Sequence, residues 1–139
     1  MRLLGLSLLL LLASVFSACG QVGNHQHPER KQMTYDNITH PVAKAAIIAW
    51  QKGDAKTWRS YFADTAKLLD DGHPRDLIEF STEAIRNERF TTIDKVEDNG
   101  LSIYGRFHSD TWGDFIAYFS FTLNEEGKIK LLRIGQARY

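Results

Sequence analysis

The sequence predicts one α+β domain, with three N-terminal helices packed on a curved antiparallel sheet, behind an N-terminal export segment. Three observations carry that prediction. Between Pro41 and Glu88, apolar residues recur at helical spacing; from Phe90 onward they alternate with the period of a strand; and Asn- and Gly-bearing turns join the strand-like stretches into antiparallel neighbours. A meander with one apolar face must cover that face, and the helices are the available cover.

The chain has 139 residues, and removing an export signal leaves about 120, enough for one core and too few for two domains. Hydrophobic residues make up 43% and aromatic residues 12%, so the fold is held by burial. Lysine plus arginine and aspartate plus glutamate balance at 17 each, which gives no basic field for nucleic acid and excludes it as an expected partner. A single cysteine rules out an intrachain disulfide and a cysteine zinc site.

Met1-Arg2 gives a short positive start, Leu3 to Phe16 is almost unbroken apolar sequence, and Ser17-Ala18 supplies small residues before Cys19. That run is shorter than the roughly 20 residues of a membrane span, so residues 1–18 are expected to be a signal peptide. Phe16-Ser17-Ala18-Cys19 resembles the lipobox of bacterial lipoproteins, departing from it only in Phe16, where an aliphatic residue is usual. The resemblance implies that Cys19 is acylated and anchors the chain to a membrane. Gly20 stands where the inner-membrane retention signal has aspartate, which implies the outer membrane facing the periplasm. Residues 19–38 are expected to form a flexible tether, with the domain at 39–139. His25 and His27 lie in the tether without a local third ligand, so they read as solvated linker rather than a metal site.

Within the domain, Pro41 suits the first position of a helix in which Val42, Ala45, Ala46, Ala49 and Trp50 share a face, with Gly53 as its stop. Asp54 is placed to cap a short second helix carrying Trp58, Tyr61 and Phe62 on one face. Ala66 to Asp70 is a strand, Asp71-Gly72-His73-Pro74 a turn, and Asp76 caps a third helix with Leu77, Phe80, Ala84 and Ile85 inward, ending near Glu88. Strands are then expected at Phe90–Val96, Leu101–His108, Phe115–Leu123 and Ile129–Ala137, joined at Asp98-Asn99-Gly100 and Glu125-Glu126-Gly127 by hairpin turns.

The element order, together with Lys52-Gly53-Asp54, Tyr61-Phe62-Ala63-Asp64, Leu68-Leu69-Asp70-Asp71-Gly72 and Gly127-Lys128-Ile129 before Leu132-Arg133-Ile134, resembles the nuclear transport factor 2-like (NTF2-like) superfamily. That superfamily includes ketosteroid isomerases and SnoaL-like cyclases, and the resemblance implies a cone whose mouth admits a small molecule between sheet and helices. Trp50, Trp58, Tyr61, Phe62, Tyr104, Phe107, Trp112, Tyr118 and Phe119 are candidates to line it, against the plainer reading that most of them fill the core. The resemblance places the isomerases' catalytic aspartate on Asp70, their tyrosine donor on Ala46 and their protonated aspartic acid at about Ala117, so the base is present and both oxyanion donors are missing. Asp70 is equally explained by Asp-Asp-Gly turn chemistry. His73, Tyr61 and Tyr118 are the candidate substitute donors or proton shuttles. His108, Asp110 and Asp114 surround Trp112 in one connection, as a pocket rim or as a polar hairpin with the indole folded back.

Three functions follow as expectations. The leading one is a lipid-anchored, non-catalytic module binding a small apolar ligand or a partner in the cone, without cofactor or metal. The second is an acid-base enzyme acting on a small carbonyl or epoxide compound, with Asp70 as base. The third is a homodimer through the outer face of the sheet, where Arg106, Lys130 and Arg138 add more charge than a tight interface favours.

Overall fold

The computed structural model describes residues 33–139; Cys19, His25, His27 and the rest of residues 1–32 lie outside the described residues. Helix α1 (Pro41–Gln51) begins where His40 Nδ1 accepts the Val42 N–H and Pro41 supplies the first helical φ. It buries Ala43, Ala46, Ile47, Ala49 and Trp50 and gives way at Gly53, whose φ of 67° is cheap only for glycine. Asp54 caps α2 (Ala55–Ser60) through the Thr57 N–H at 3.0 Å, and Asp76 caps α3 (Leu77–Asn87) through the Glu79 N–H at 2.8 Å.

Helix α2 ends before Tyr61 and Phe62, the two aromatics that helical spacing assigned to its face. Phe62 instead opens β1 (Phe62–Asp70), four residues earlier than the sequence pattern indicates, because its backbone pairs with Ile129 of β7 (Ile129–Gln136). The turn after β1 is also tighter than expected. Asp71 and Gly72, at φ 46° and 83°, make the reversal alone, and His73–Arg75 is a short strand, β2, paired antiparallel with β1.

A seven-stranded sheet runs β2-β1-β7-β6-β5-β3, with β6 at Gly113–Leu123, β5 at Ser102–Ser109 and β3 at Glu88–Phe90; β4 (Lys95–Glu97) also pairs with β5. The meander β5-β6-β7 is antiparallel as expected, but β1 lies parallel to β7, Leu68 opposite Leu132 and Asp70 opposite Ile134, so the sheet is mixed. Such a pairing joins strands distant in sequence, and no local turn signals it.

The stretch read as one strand, Phe90–Val96, is two strands separated by a bend. At the bend the N–H groups of Thr91 and Thr92 both point to the Arg106 carbonyl, and the Thr92 carbonyl lies where a Cβ on Gly105 would be, 1.9 Å away. Glycine at 105 lets the bent segment close onto β5, and a bend of this kind curves a sheet edge.

The core lies between helices and sheet. Trp50 meets Trp58 edge-on at 4.9 Å, stacks on Phe80 at 5.6 Å and meets Phe119 at 5.2 Å. Trp58 Nε1–H donates to Ser81 Oγ at 2.9 Å, and that hydroxyl donates onward to the Leu77 carbonyl, satisfying a polar pair inside the apolar mass. Ile38 is buried in the same core and Met33 and Tyr35 pack against it, so packed structure begins within the segment assigned to the tether.

Candidate functional site

Helix α3 and the inner face of β5, β6 and β7 leave a cleft of about 680 Å³ between them. Phe80 and Ala84 of α3, Phe107 of β5, Phe115, Ala117 and Phe119 of β6 and Ile134 of β7 form its apolar wall. The β6 residues follow from strand geometry, since positions 115, 117 and 119 share one face. Ala84 and Ala117 contribute only a methyl each, from helix and sheet respectively, where larger side chains would fill the space.

The mouth is polar. Arg75 donates to Asp70 at 2.6 Å and lies over the Phe80 ring at 4.9 Å, so Asp70 is held by a cation instead of standing free. Glu88, half-buried where α3 passes into β3, accepts the Ser109 hydroxyl at 3.0 Å. Ser109 Oγ in turn accepts the N–H groups of Thr111 and Trp112, at 3.3 and 3.2 Å, which fixes the β5–β6 connection against Glu88. Burial pushes the Glu88 carboxyl above the usual carboxylate range; the Ser109 hydrogen bond and Arg75 oppose that shift, while Asp70 and Asp110 add to it.

Of the residues singled out in the sequence, Asp70, Phe107, Trp112, Asp114 and Phe119 line this cleft. Trp50, Trp58 and Phe62 do not; they are core residues, as the need to cover the sheet demands. Tyr61 is half-buried against that core and lies outside the lining. Tyr104 and Tyr118 occupy the outer face of the sheet, paired across β5 and β6 at 6.0 Å, because Ile103, Ala117 and Phe119 take the inward positions. Lys95 Nζ covers Tyr104 from 4.5 Å, and burial, with Asp71 nearby, pushes the Tyr118 hydroxyl upward. Neither tyrosine donates into the cone.

His73 is exposed on β2, outside the cleft lining. His108 also lies on the outer face, its Nδ1 2.6 Å from Asp114 and its Nε2 3.1 Å from Asp110, which Arg89 approaches at 3.9 Å. The polar connection is thus a cluster of its own that reaches the cleft through Thr111, Trp112 and Asp114. Trp112 is not folded back: it is 78% exposed at the mouth. Ala46 is sealed in the core and Ala117 presents a methyl to the cleft, so neither position offers a hydrogen-bond donor. Among the described residues, no cluster of three or more acidic, His or Cys side chains is placed to hold a metal ion.

Glu88 and Arg75 went unmarked in the sequence. Glu88 did carry a signal: an acid at the carbonyl end of a helix sits where a cation is favoured, and its presence there calls for a reason.

No protein-family profile and no curated protein sequence matches the chain. Solved structures do. An NTF2-like protein of unknown function from Cytophaga hutchinsonii is 11% identical, with a TM-score of 0.56 over 76% of this chain and 92% of that one. A SnoaL-like protein of unknown function from Burkholderia thailandensis is 14% identical, with a TM-score of 0.55 over 73% and 95%. The orange carotenoid protein of Anabaena (Nostoc) sp., in a structure binding canthaxanthin, is 18% identical, with a TM-score of 0.58 over 76% of this chain and 39% of that larger one.

Proposed function

The chain has the NTF2-like fold, three helices on a curved sheet, and on that premise we propose that its cleft binds a small, largely apolar ligand without transforming it. The observation that carries the reading is the cleft itself: about 680 Å³, within the usual range for ligand sites, walled by aromatic and aliphatic side chains, with its polar groups at the mouth. That a structural neighbour binds canthaxanthin supports an apolar ligand, since the same architecture forms part of that protein. Binding without catalysis is favoured because Arg75 holds Asp70 and because Ala46 and Ala117 supply no donors for an oxyanion. We further propose that acylated Cys19 anchors the domain to the outer membrane, facing the periplasm, on the strength of the Phe16 to Cys19 motif.

Titration of the purified chain with 1-decanol, followed calorimetrically, tests the first part. Saturable binding that Ala117→Trp abolishes is the expected result, and absence of saturable binding to the native chain refutes it. Metabolic labelling with palmitate tests the second: label should be incorporated and should disappear in Cys19→Ser. An acid-base enzyme remains the rival, and turnover of a small carbonyl or epoxide compound that is lost in Asp70→Asn would establish it.

A further inference from the structure

The cleft's charge is as one-sided as its wall is apolar. Its lining holds five carboxylates, Asp70, Asp71, Glu83, Glu88 and Asp114, against one guanidinium, Arg75. Two of the five have cationic or imidazole partners, Asp70 in Arg75 and Asp114 in His108, and Asp71 accepts the Gln136 N–H. Glu88 is different: half-buried, it has a neutral hydroxyl as its hydrogen-bond donor, and among the described residues no cation forms an ion pair with it. Arg75, already ion-paired with Asp70, offsets the burial of the Glu88 anion only in part, and a bound cation would relieve the remainder.

Beside it stands the second feature. Ser109 Oγ ties the Glu88 carboxylate and the Trp112 backbone to one point, and Glu88 and the exposed Trp112 both line the cleft. An indole face attracts organic cations, and an exposed one at a cleft mouth is available to cap them.

Resting on the ligand-binding reading above, we infer that the ligand is a cationic amphiphile, whose apolar body lies along Phe107, Phe119 and Ile134 and whose protonated amine or quaternary ammonium head sits at Glu88 beside Trp112. An amphiphile with a carboxylate head is disfavoured, because it would bring a sixth negative charge to a mouth already in excess. A neutral amphiphile gains the apolar wall alone.

Three probes of equal chain length separate these contributions: decyltrimethylammonium, 1-decanol and decanoate, each below its micelle concentration, titrated calorimetrically into the full chain. The cation should bind about tenfold more tightly than the alcohol, the scale of a partly desolvated charge contact, with decanoate weakest. Glu88→Gln should remove that tenfold advantage, read as the ratio of the two affinities measured on the same protein. The native chain gives the same test without a substitution. Its preference for the cation should fall as the pH is lowered and Glu88, which Arg75, Asp70 and Asp110 face, gains its proton above the ordinary carboxylate range, and decanol binding should stay level. Decanol or decanoate binding as tightly as the cation, or a cation preference indifferent to both Glu88→Gln and pH, overturns the inference and leaves the apolar-ligand reading standing. No saturable binding of any of the three removes both.

Discussion

Phe119 is the residue through which core and cleft share a wall, and its removal has a cost that can be worked from its surroundings. The ring is 2% exposed, with centroids of Trp50, Trp58, Phe90 and Phe107 at 5.2, 6.2, 5.1 and 5.6 Å, and it also lines the cleft. Replacing a buried phenylalanine by alanine costs about 3–5 kcal/mol, the spread being set by how far the vacated space can be filled. Here the space opens into an existing cleft of about 680 Å³ instead of forming a sealed void, which places Phe119→Ala at the low end, about 3 kcal/mol. At about 4–8 °C per kcal/mol, the melting midpoint falls by about 12–24 °C. Phe90 supplies the control. It is 1% exposed, packs on Phe107 and Phe119 and does not line the cleft, so Phe90→Ala leaves a closed void and should cost about 4–5 kcal/mol. Urea unfolding at constant slope measures both. A reversed order, or a loss below about 1 kcal/mol for Phe119→Ala, refutes the placement of that ring between core and cleft.

Three further outcomes follow. Ser81→Ala leaves the buried Trp58 N–H without its acceptor and should cost about 1–3 kcal/mol by urea unfolding; an unchanged midpoint would show that this hydrogen bond is not made. Gly105→Ala places a Cβ 1.9 Å from the Thr92 carbonyl, a backbone atom that cannot swing aside, so amide exchange should accelerate across β3, β4 and the bend between them; unaltered protection there would contradict the close approach. Glu88→Gln tests the buried acid through stability. Because the folded-state value of Glu88 is raised above the ordinary 4.5, its contribution is fully present below that ordinary value and is lost as pH rises through the raised one. The variant should therefore gain on the native chain as pH rises above about 4.5, as read in paired thermal melts, and an offset that does not change with pH would refute the buried carboxylate.

The helices were legible because each announces itself locally: Pro41 opens α1, Asp54 and Asp76 cap α2 and α3, and Gly53 stops the first. The three-strand meander was legible for the same reason, through alternation and its Gly-bearing turns. What escaped depends on distant partners. Phe62 leaves the helix because Ile129, far along the chain, pairs with it; Phe90–Val96 divides because Thr92 crosses Gly105; β1 runs parallel to β7 with nothing nearby to indicate it. The site suffered similarly. Period-two alternation showed that Tyr118 and Phe119 face opposite ways, but not which of them faces inward, and an aromatic count cannot distinguish the core rings Trp50 and Trp58 from the mouth ring Trp112.

The two cleft acids show why a residue's type says less than its neighbours. Asp70 occupies the position that the isomerase resemblance makes catalytic, yet Arg75 at 2.6 Å already engages it as ion-pair and hydrogen-bond partner. Glu88 matches no motif: it follows the carbonyl end of α3 and is half-buried, and the Ser109 hydroxyl and the Arg75 guanidinium offset that burial only in part. A sequence selected for stability alone would place glutamine there, keeping the Ser109 hydrogen bond without the buried charge. An acid at that point is therefore better explained by what the cleft receives than by how the domain folds.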